Sequence, residues 1–352
     1  MQKSISIAKT RDPYFDIIKG VAIMLVVAGH CIQYGNGTEY LCDKEYFENL
    51  MFRCIYSFHM PLFMLLCGYF FYSSASKRSF VKVVSNKCKT ALLPIISFGV
   101  VSFLIWKVPE YSRKFSFESV CVGLRDCSNH TRQSLWFFWA LFKLSIIVAI
   151  IQKGFKDNKY VHVMVLLLVF IFPIPKITEL EKSVYPFFLL GYWTRKYNWW
   201  NKIQHINNNY VLTFLGVTYI ICLYYFHKET YVYTTGITIW KSQLGFFQII
   251  VDIQRMLTGL CGSLLCLFLT KIVYDKVRIE SAVKVFSFLG IYSGGIYCVH
   301  SALIPVDRFA LAFPDNMISG GGIFVPVLIY SVAISWLFSK SKFTDYLFLG
   351  GR

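Results

Sequence analysis

Acidic residues are scarce in this chain, with 19 Asp and Glu against 36 Lys and Arg, and charged residues of both signs make up only 16%. A water-soluble domain carries roughly 25% charge and about 45–50% apolar residues. Here 56% of the 352 residues are hydrophobic, which leaves too little polar surface to cover the core they would form. An ordinary soluble domain is thereby excluded. Metal-ligand spacing is missing among the 11 cysteines, most of which (Cys31, Cys67, Cys222, Cys261, Cys266, Cys298) fall inside apolar runs as small hydrophobes. No metal is expected. The first residues, MQKSISIAKTRDPYFDIIKG, show no short apolar region followed by a small-residue cleavage site, so the first apolar run is expected to be retained. Low-complexity tracts, internal repeats and an appended soluble domain are also lacking, and residues 1–352 read as one integral-membrane domain.

What is present is a succession of apolar runs. A helix needs about 20 mostly apolar residues to cross a bilayer. Ten segments qualify or nearly so: about 14–35, 50–73, 91–108, 134–152, 160–175, 184–197, 210–227, 247–270, 284–304 and 322–339. The expected fold is all-α, a polytopic membrane protein of about ten transmembrane helices. The net charge of +17 does not point to nucleic acid, because the cations are not gathered on one face or arm. They sit in short clusters between the apolar runs, such as Lys77, Arg78, Lys82, Lys87 and Lys89, or Lys153, Lys156 and Lys159. Positive loops stay in the cytoplasm. This bias places both termini there, in a plasma (inner bacterial) membrane, and leaves only the stretch with Lys107, Arg113, Lys114, Arg125 and Arg132 as a basic loop outside.

Ionisable groups inside apolar runs cost several kcal/mol on insertion scales and call for a reason. His30, His59 and His300 lie in three different runs. At 1.5 Å per residue, His30 sits roughly 24 Å above the inner end of its helix and His59 about 13 Å below the outer end of the next; His300 lies as far up its own helix as His30. All three fall in the outer half of the bilayer. Asp252 and Arg255, three residues apart on one helix face, fall there too, and Arg53 lies near an outer end. Each alone can serve as hydrogen-bonded glue between helices. Their common level favours a polar cavity opening outward. At the inner end Asp16 and Lys19 form another pair three apart, where Lys19 can also snorkel to the interface. The segment KRSFVKVVSNKCK, residues 77–89, is either a topology signal or a site for an anionic cytosolic cosubstrate.

YFDIIKGVAIMLVVAGH, in which ten residues separate Lys19 from His30, resembles the first helix of the membrane acyltransferase-3 family. SFHMPLFMLLCGYFF (57–71), SLWFFWALF (134–142) and YSGGIYCVHSALI (292–304) resemble its second, fourth and ninth helices, in order along the chain. Two features depart from the family pattern. Lysines stand where many members have an Arg-x-x-Arg pair after the second helix, and Leu141 stands where longer members have a glutamate. The resemblance implies a membrane O-acyltransferase that takes acetyl from cytosolic acetyl-CoA to a hydroxyl of a surface or lipid-linked glycan, such as O-antigen, capsule or exopolysaccharide. It implies catalytic roles for His30 and Lys19, with His59, Arg53, Trp136, Asp252, Arg255 and His300 on the acceptor side; acyl-CoA contacts at Lys82, Lys87 and Lys89 are expected from the charge of segment 77–89 and not from the family pattern. An imidazole can act as base at neutral pH or carry the acyl group covalently; the residues do not separate these routes. The competing reading is a glycan or lipid transporter or flippase, which intramembrane charge suits equally well, although no related halves are evident. Oligomeric state and the identity of the glycan are left open.

Overall fold

The computed structural model describes residues 12–35, 45–108, 117–203, 209–277, 279–303 and 322–351. His205, Lys3, Lys9, Arg11, Arg113, Lys114 and Arg352 lie outside them, as does Arg278. Regular structure among these residues is helical, with no strand. The principal helices are α1 (Pro13–Gly35), α2 (Leu50–Ala75), α3 (Phe80–Trp106), α4 (Phe117–Gln133), α5 (Trp136–Gly154) and α6 (Lys159–Ile171). They continue with α7 (Glu179–Lys196), α8 (Asn209–Tyr224), α9 (Phe247–Lys276), α10 (Glu280–Leu303), α11 (Phe324–Phe338) and α12 (Lys342–Leu349).

Each of the ten apolar segments is a helix. Six of them (α1, α2, α3, α5, α9 and α10) are long and apolar enough to cross a membrane, while α6, α8 and α11 are apolar but shorter. Phe214, Ile220 and Ile329 are exposed on the short helices, and helices apolar on every face belong in lipid rather than water. The molecule is a multi-pass membrane protein. Its helix starts follow local chemistry. Asn49 accepts a hydrogen bond from the Phe52 amide at 3.1 Å, Asn158 accepts one from Tyr160 at 2.9 Å, and Thr178 with Glu181 forms a reciprocal capping box.

Two helix pairs form the centre of the bundle, α1 with α10 and α2 with α7. In each, reciprocal glycines let backbones touch. A Cβ on Gly20 would fall on the Phe286 carbonyl, and one on Gly290 on that of Asp16. Gly68 and Gly191 stand in the same relation to Phe188 and Leu65. Small residues at such contacts maximise packing where no water is available to drive association.

The structure departs from the sequence reading in two places. The third helix starts at Phe80, not near residue 91, so most of the basic segment 77–89 is helical. A π-turn at Cys88–Leu92 makes the join. Pro94 lacks an amide proton and its ring would meet the Thr90 carbonyl in a regular helix, a conflict that a wider turn relieves. The stretch before the fourth segment also contains a helix, α4, instead of an open loop. Its end packs against the interior of α3: Thr131 fills the space beside Gly99, and His130 Nε2 lies 3.0 Å from Ser102 Oγ.

A candidate active site between three chambers

The three intramembrane histidines come from α1, α2 and α10 and gather near one end of the bundle, here called the upper end. His30 Nδ1 lies 2.9 Å from His300 Nε2. The other nitrogen of His300 is 2.8 Å from the Ile296 carbonyl. A carbonyl only accepts, so His300 Nδ1 carries a proton and, in the neutral ring, its Nε2 is an acceptor. His30 Nδ1 must then donate, which puts the basic lone pair of a neutral His30 on Nε2. His59 is held the same way, Nδ1 to the Ile55 carbonyl at 2.7 Å. His300 sits in a π-turn, Val299–Leu303, that ends α10, and such turns are frequent at functional sites.

Around these rings lies a narrow cavity of ≈ 100 Å³, the middle chamber, walled by His30, His59, Trp136, Arg255, Tyr56 and Tyr297 among others. Trp136 arrives there because α4 doubles back. The turn from α4 into α5 is made by buried Leu135 at φ 49, a left-handed conformation for a non-glycine residue, which costs on the order of 1–3 kcal/mol. That strain is what lets α5 begin beside the histidines.

A second chamber of ≈ 370 Å³ lies toward the start of α1, at the lower end. Phenylalanines 63, 70, 71, 137 and 138 dominate its walls, and its charged lining residues are Lys19 and Lys87. Lys19 pairs with Asp16 at 3.4 Å and lies over the Phe70 ring; Lys87 lies 5.3 Å from the Phe71 ring centroid. Val26, Met60 and Tyr297 line this chamber and the middle one alike, so a layer one side chain thick divides them. A third chamber, ≈ 670 Å³, lies on the upper side, and shares Leu180, Val232 and Tyr233 with the middle one.

The structure thus brings His30, His59, His300, Trp136 and Arg255 together, and sets Lys19 and Lys87 in the next chamber down. Four other candidates are elsewhere. Arg53 donates to the carbonyls of Phe226 (2.9 Å) and Tyr224 (3.2 Å), and to that of Leu223, capping the end of α8. Asp252 is buried, 3.0 Å from Arg255 Nη1, and does not line the middle chamber. Lys82 is exposed on α3. Lys89 packs over the Tyr346 ring of α12 at 5.1 Å. Arg255 itself is largely engaged by backbone, donating to the carbonyls of Thr230 and Gly236 and to Thr235 Oγ1. Among the described residues no group of His, Cys, Asp and Glu is arranged to hold a metal ion.

Sequence reasoning missed Tyr56, Gln33 and Tyr297. The Tyr56 hydroxyl donates to Gln33 Oε1, and the Tyr297 hydroxyl accepts from the Phe137 amide at 3.3 Å, near the start of α5. A signal was present. Tyr56 precedes His59 by three residues, Tyr297 precedes His300 by three, and Gln33 comes three after His30, a spacing that puts both members on one helix face.

No solved structure matches the chain. It is 30% identical over 237 residues to the nodulation protein NolL of Mesorhizobium japonicum, covering 66% of this chain and 61% of that protein. It is 29% identical over 186 residues to the NolL of Sinorhizobium fredii, covering 53% of this chain and 49% of that one. The matched region therefore spans about half to three fifths of these curated relatives. A family model described as an acyltransferase domain matches residues 12–340, nearly the whole chain and all the helices that wall the three chambers, and the chain belongs to that acyltransferase family.

Proposed function

We propose that the protein is a membrane O-acetyltransferase that takes acetyl from acetyl-CoA through the lower chamber and delivers it to a glycan hydroxyl from the upper side, with His30 as the base between them. The observation that carries this reading is the hydrogen-bonded His30–His300 pair in a small cavity flanked by two larger ones. At ≈ 100 Å³ the middle chamber falls below the roughly 300–1,000 Å³ of small-molecule sites, so it accommodates the reacting groups and little else. The lower chamber, ≈ 370 Å³, suits an apolar acyl-thioester arm but not a whole nucleotide, which would stay at the mouth. Lys19 and Lys87 supply positive charge for phosphates, as point charges and not as the planar fork of arginine.

In this mechanism His30 Nε2 removes the proton of the acceptor hydroxyl as its oxygen attacks the thioester carbonyl. The C–S bond breaks, and the proton passes from His30 to the departing sulfur, giving the free thiol. His300 accepts the Nδ1 proton of His30 in a hydrogen bond, fixing the tautomer and steadying the imidazolium formed in between. The Lys and Arg bias supports placing the lower end, with both termini, in the cytoplasm, where acetyl-CoA is found, and the bundle in the plasma membrane. Counting α6, α7, α8 and α11 with the six long helices gives ten spans.

The test is transfer of labelled acetyl from acetyl-CoA to glycan by purified protein, beside a His30→Ala variant that inserts and accumulates normally. Loss of a positioned base lowers turnover by about 10²–10⁴. Near-normal turnover by well-folded His30→Ala would remove the assignment. Cysteine labelling at position 82 from the cytoplasm, and at 118 from outside, checks the orientation.

A further inference from the structure

Attack on a thioester places negative charge on its carbonyl oxygen, a charge that a base such as His30 does not touch. A hydrogen-bond donor aimed at that oxygen is often the largest single contribution to acyl transfer. Most donors on the wall of the middle chamber are already committed. The Tyr56 hydroxyl donates to Gln33 Oε1, that of Ser57 to the Cys54 carbonyl at 2.8 Å, and that of Ser183 to the Leu180 carbonyl at 2.7 Å. Arg255 directs four hydrogen bonds at Thr230, Gly236, Thr235 and Asp252. His59 spends its Nδ1 proton on the Ile55 carbonyl, which leaves a lone pair on Nε2. Tyr231, Tyr233 and Tyr297 have partners too.

Trp136 is different. Its indole lines the same chamber, and its N–H has no acceptor among the described residues. The N–H of Trp106, by contrast, is spent on the Ala302 carbonyl at 3.2 Å, and those of Trp139 and Trp193 are sealed into the packing.

Position decides which charge this donor meets. Trp136 lines the middle chamber, while the next two residues, Phe137 and Phe138, line the lower one. The start of α5 therefore straddles the wall through which a thioester would pass. Tyr297, which lines both chambers, fixes that start twice: its hydroxyl takes the Phe137 amide at 3.3 Å, and its ring stacks on Phe138 with centroids 5.5 Å apart. A donor held in this way needs no reorganisation as charge develops. Indole also donates without accepting, so it does not compete with His30 for the proton.

Resting on the acetyl-transfer reading, we infer that Trp136 is a catalytic residue whose indole N–H holds the thioester oxyanion. As the acceptor oxygen bonds to the carbonyl carbon, the carbonyl π pair moves onto oxygen and is held by Trp136. The pair returns as the C–S bond breaks, and the proton on His30 goes to the sulfur. Trp136 thus serves the donor, not the acceptor side expected from the sequence.

Kinetics of the full-length protein in detergent test this, with labelled acetyl-CoA as donor and an extract of the source cell's envelope glycans as acceptor. Trp136→Phe keeps an aromatic ring and removes the N–H. Replacing Trp136 by benzothienylalanine, in which sulfur stands for the N–H group, keeps the whole indole shape. Each change should lower kcat by about 10²–10³ and leave the KM for acetyl-CoA at its parental value, the mark of an interaction made only in the transition state. If Trp136→Phe fails to fold, the benzothienyl variant decides. Parental turnover in that variant, or a raised KM at parental kcat, would overturn the assignment and leave acetyl transfer by His30 in place. A parent protein that transfers no acetyl would remove both.

Discussion

The two ends of the molecule use intramembrane charge in opposite ways. At the upper end, charged groups are consumed by the protein itself: Arg53 caps α8, Arg255 and Glu179 hold the 228–242 segment, buried Lys182 donates to the Phe172 carbonyl, and Lys143 pairs with Glu181 at 2.7 Å. At the lower end, Lys19 and Lys87 line a chamber whose other walls are mostly apolar. A charge in an apolar helix therefore marks a structural clamp in one half and a chamber-lining position in the other. What separates them is the supply of backbone carbonyls, plentiful around the irregular 225–246 segment and absent from the regular helices below.

The largest effect expected from this contrast is at Arg255. Arg255→Met leaves Asp252 buried without its cation, and breaking such a pair costs about 3–5 kcal/mol. Unfolding in mixed detergent should start at lower denaturant, and protease should cut within residues 228–242. Asp252→Leu in the same chain should restore part of the loss. If Arg255→Met keeps parental stability and loses only acceptor use, the clamp reading fails and Arg255 belongs to the ligand.

Lys87 should behave in the reverse manner. Lys87→Gln should keep its stability and raise the KM for acetyl-CoA about tenfold, more at low salt. Lys82→Gln and Lys89→Gln should change it much less, since neither lines the chamber. Equal effects from all three would mean that general basicity at the membrane surface, not a site, governs the donor.

The smallest effect is at the turn between α5 and α6. Burial pushes the Asp157 carboxyl up, but hydrogen bonds from His162, Lys196 and Tyr192 outweigh it and leave the carboxyl below its usual range. His162 Nε2 is 2.9 Å and Lys196 Nζ 2.8 Å from its two oxygens. A depressed folded value means the stabilisation is complete above the ordinary carboxylate range and is lost as pH falls through the folded value. Asp157→Asn should lose about 1 kcal/mol at pH 7, with the gap from the parent closing as the pH is lowered below about 4. A gap that stays constant with pH would show that the carboxylate charge contributes nothing.

Much of the fold was legible because lipid imposes a simple rule. Long apolar runs became helices, and the common depth of His30, His59 and His300, estimated from helix rise alone, corresponds to a hydrogen-bonded pair, His30 with His300, and to a third ring, His59, on the wall of the same chamber as His30. Direction of the side chains was not legible. Arg53 and Lys89 have the composition of site residues, but a helix terminus claimed one and a packed tail the other. The π-turns at Cys88–Leu92 and Val299–Leu303 rotate the residues beyond them by an amount no regular period contains. The doubling back of α4 depends on a contact between Gly99 and Thr131, residues far apart in the chain with no shared pattern.

Chambers divided by layers one side chain thick have an electrical consequence. In an energised membrane, voltage falls mainly across the poorly conducting parts of the path, here the thin walls at Tyr297 and Tyr233, instead of evenly over the roughly 30 Å of hydrocarbon. The proton that the proposed mechanism places on His30 would lie between those walls. Carrying one elementary charge across the full potential is worth about 2.3 kcal/mol per 100 mV, but in the mechanism proposed the His30 proton comes from the hydroxyl beside it and leaves to the sulfur beside it, so no charge crosses either wall in the chemical step. Acetyl transfer in sealed vesicles should then run at the same rate under either polarity of imposed voltage, and a rate that quickens under one polarity and slows under the other would mean that His30 exchanges its proton with one of the aqueous faces.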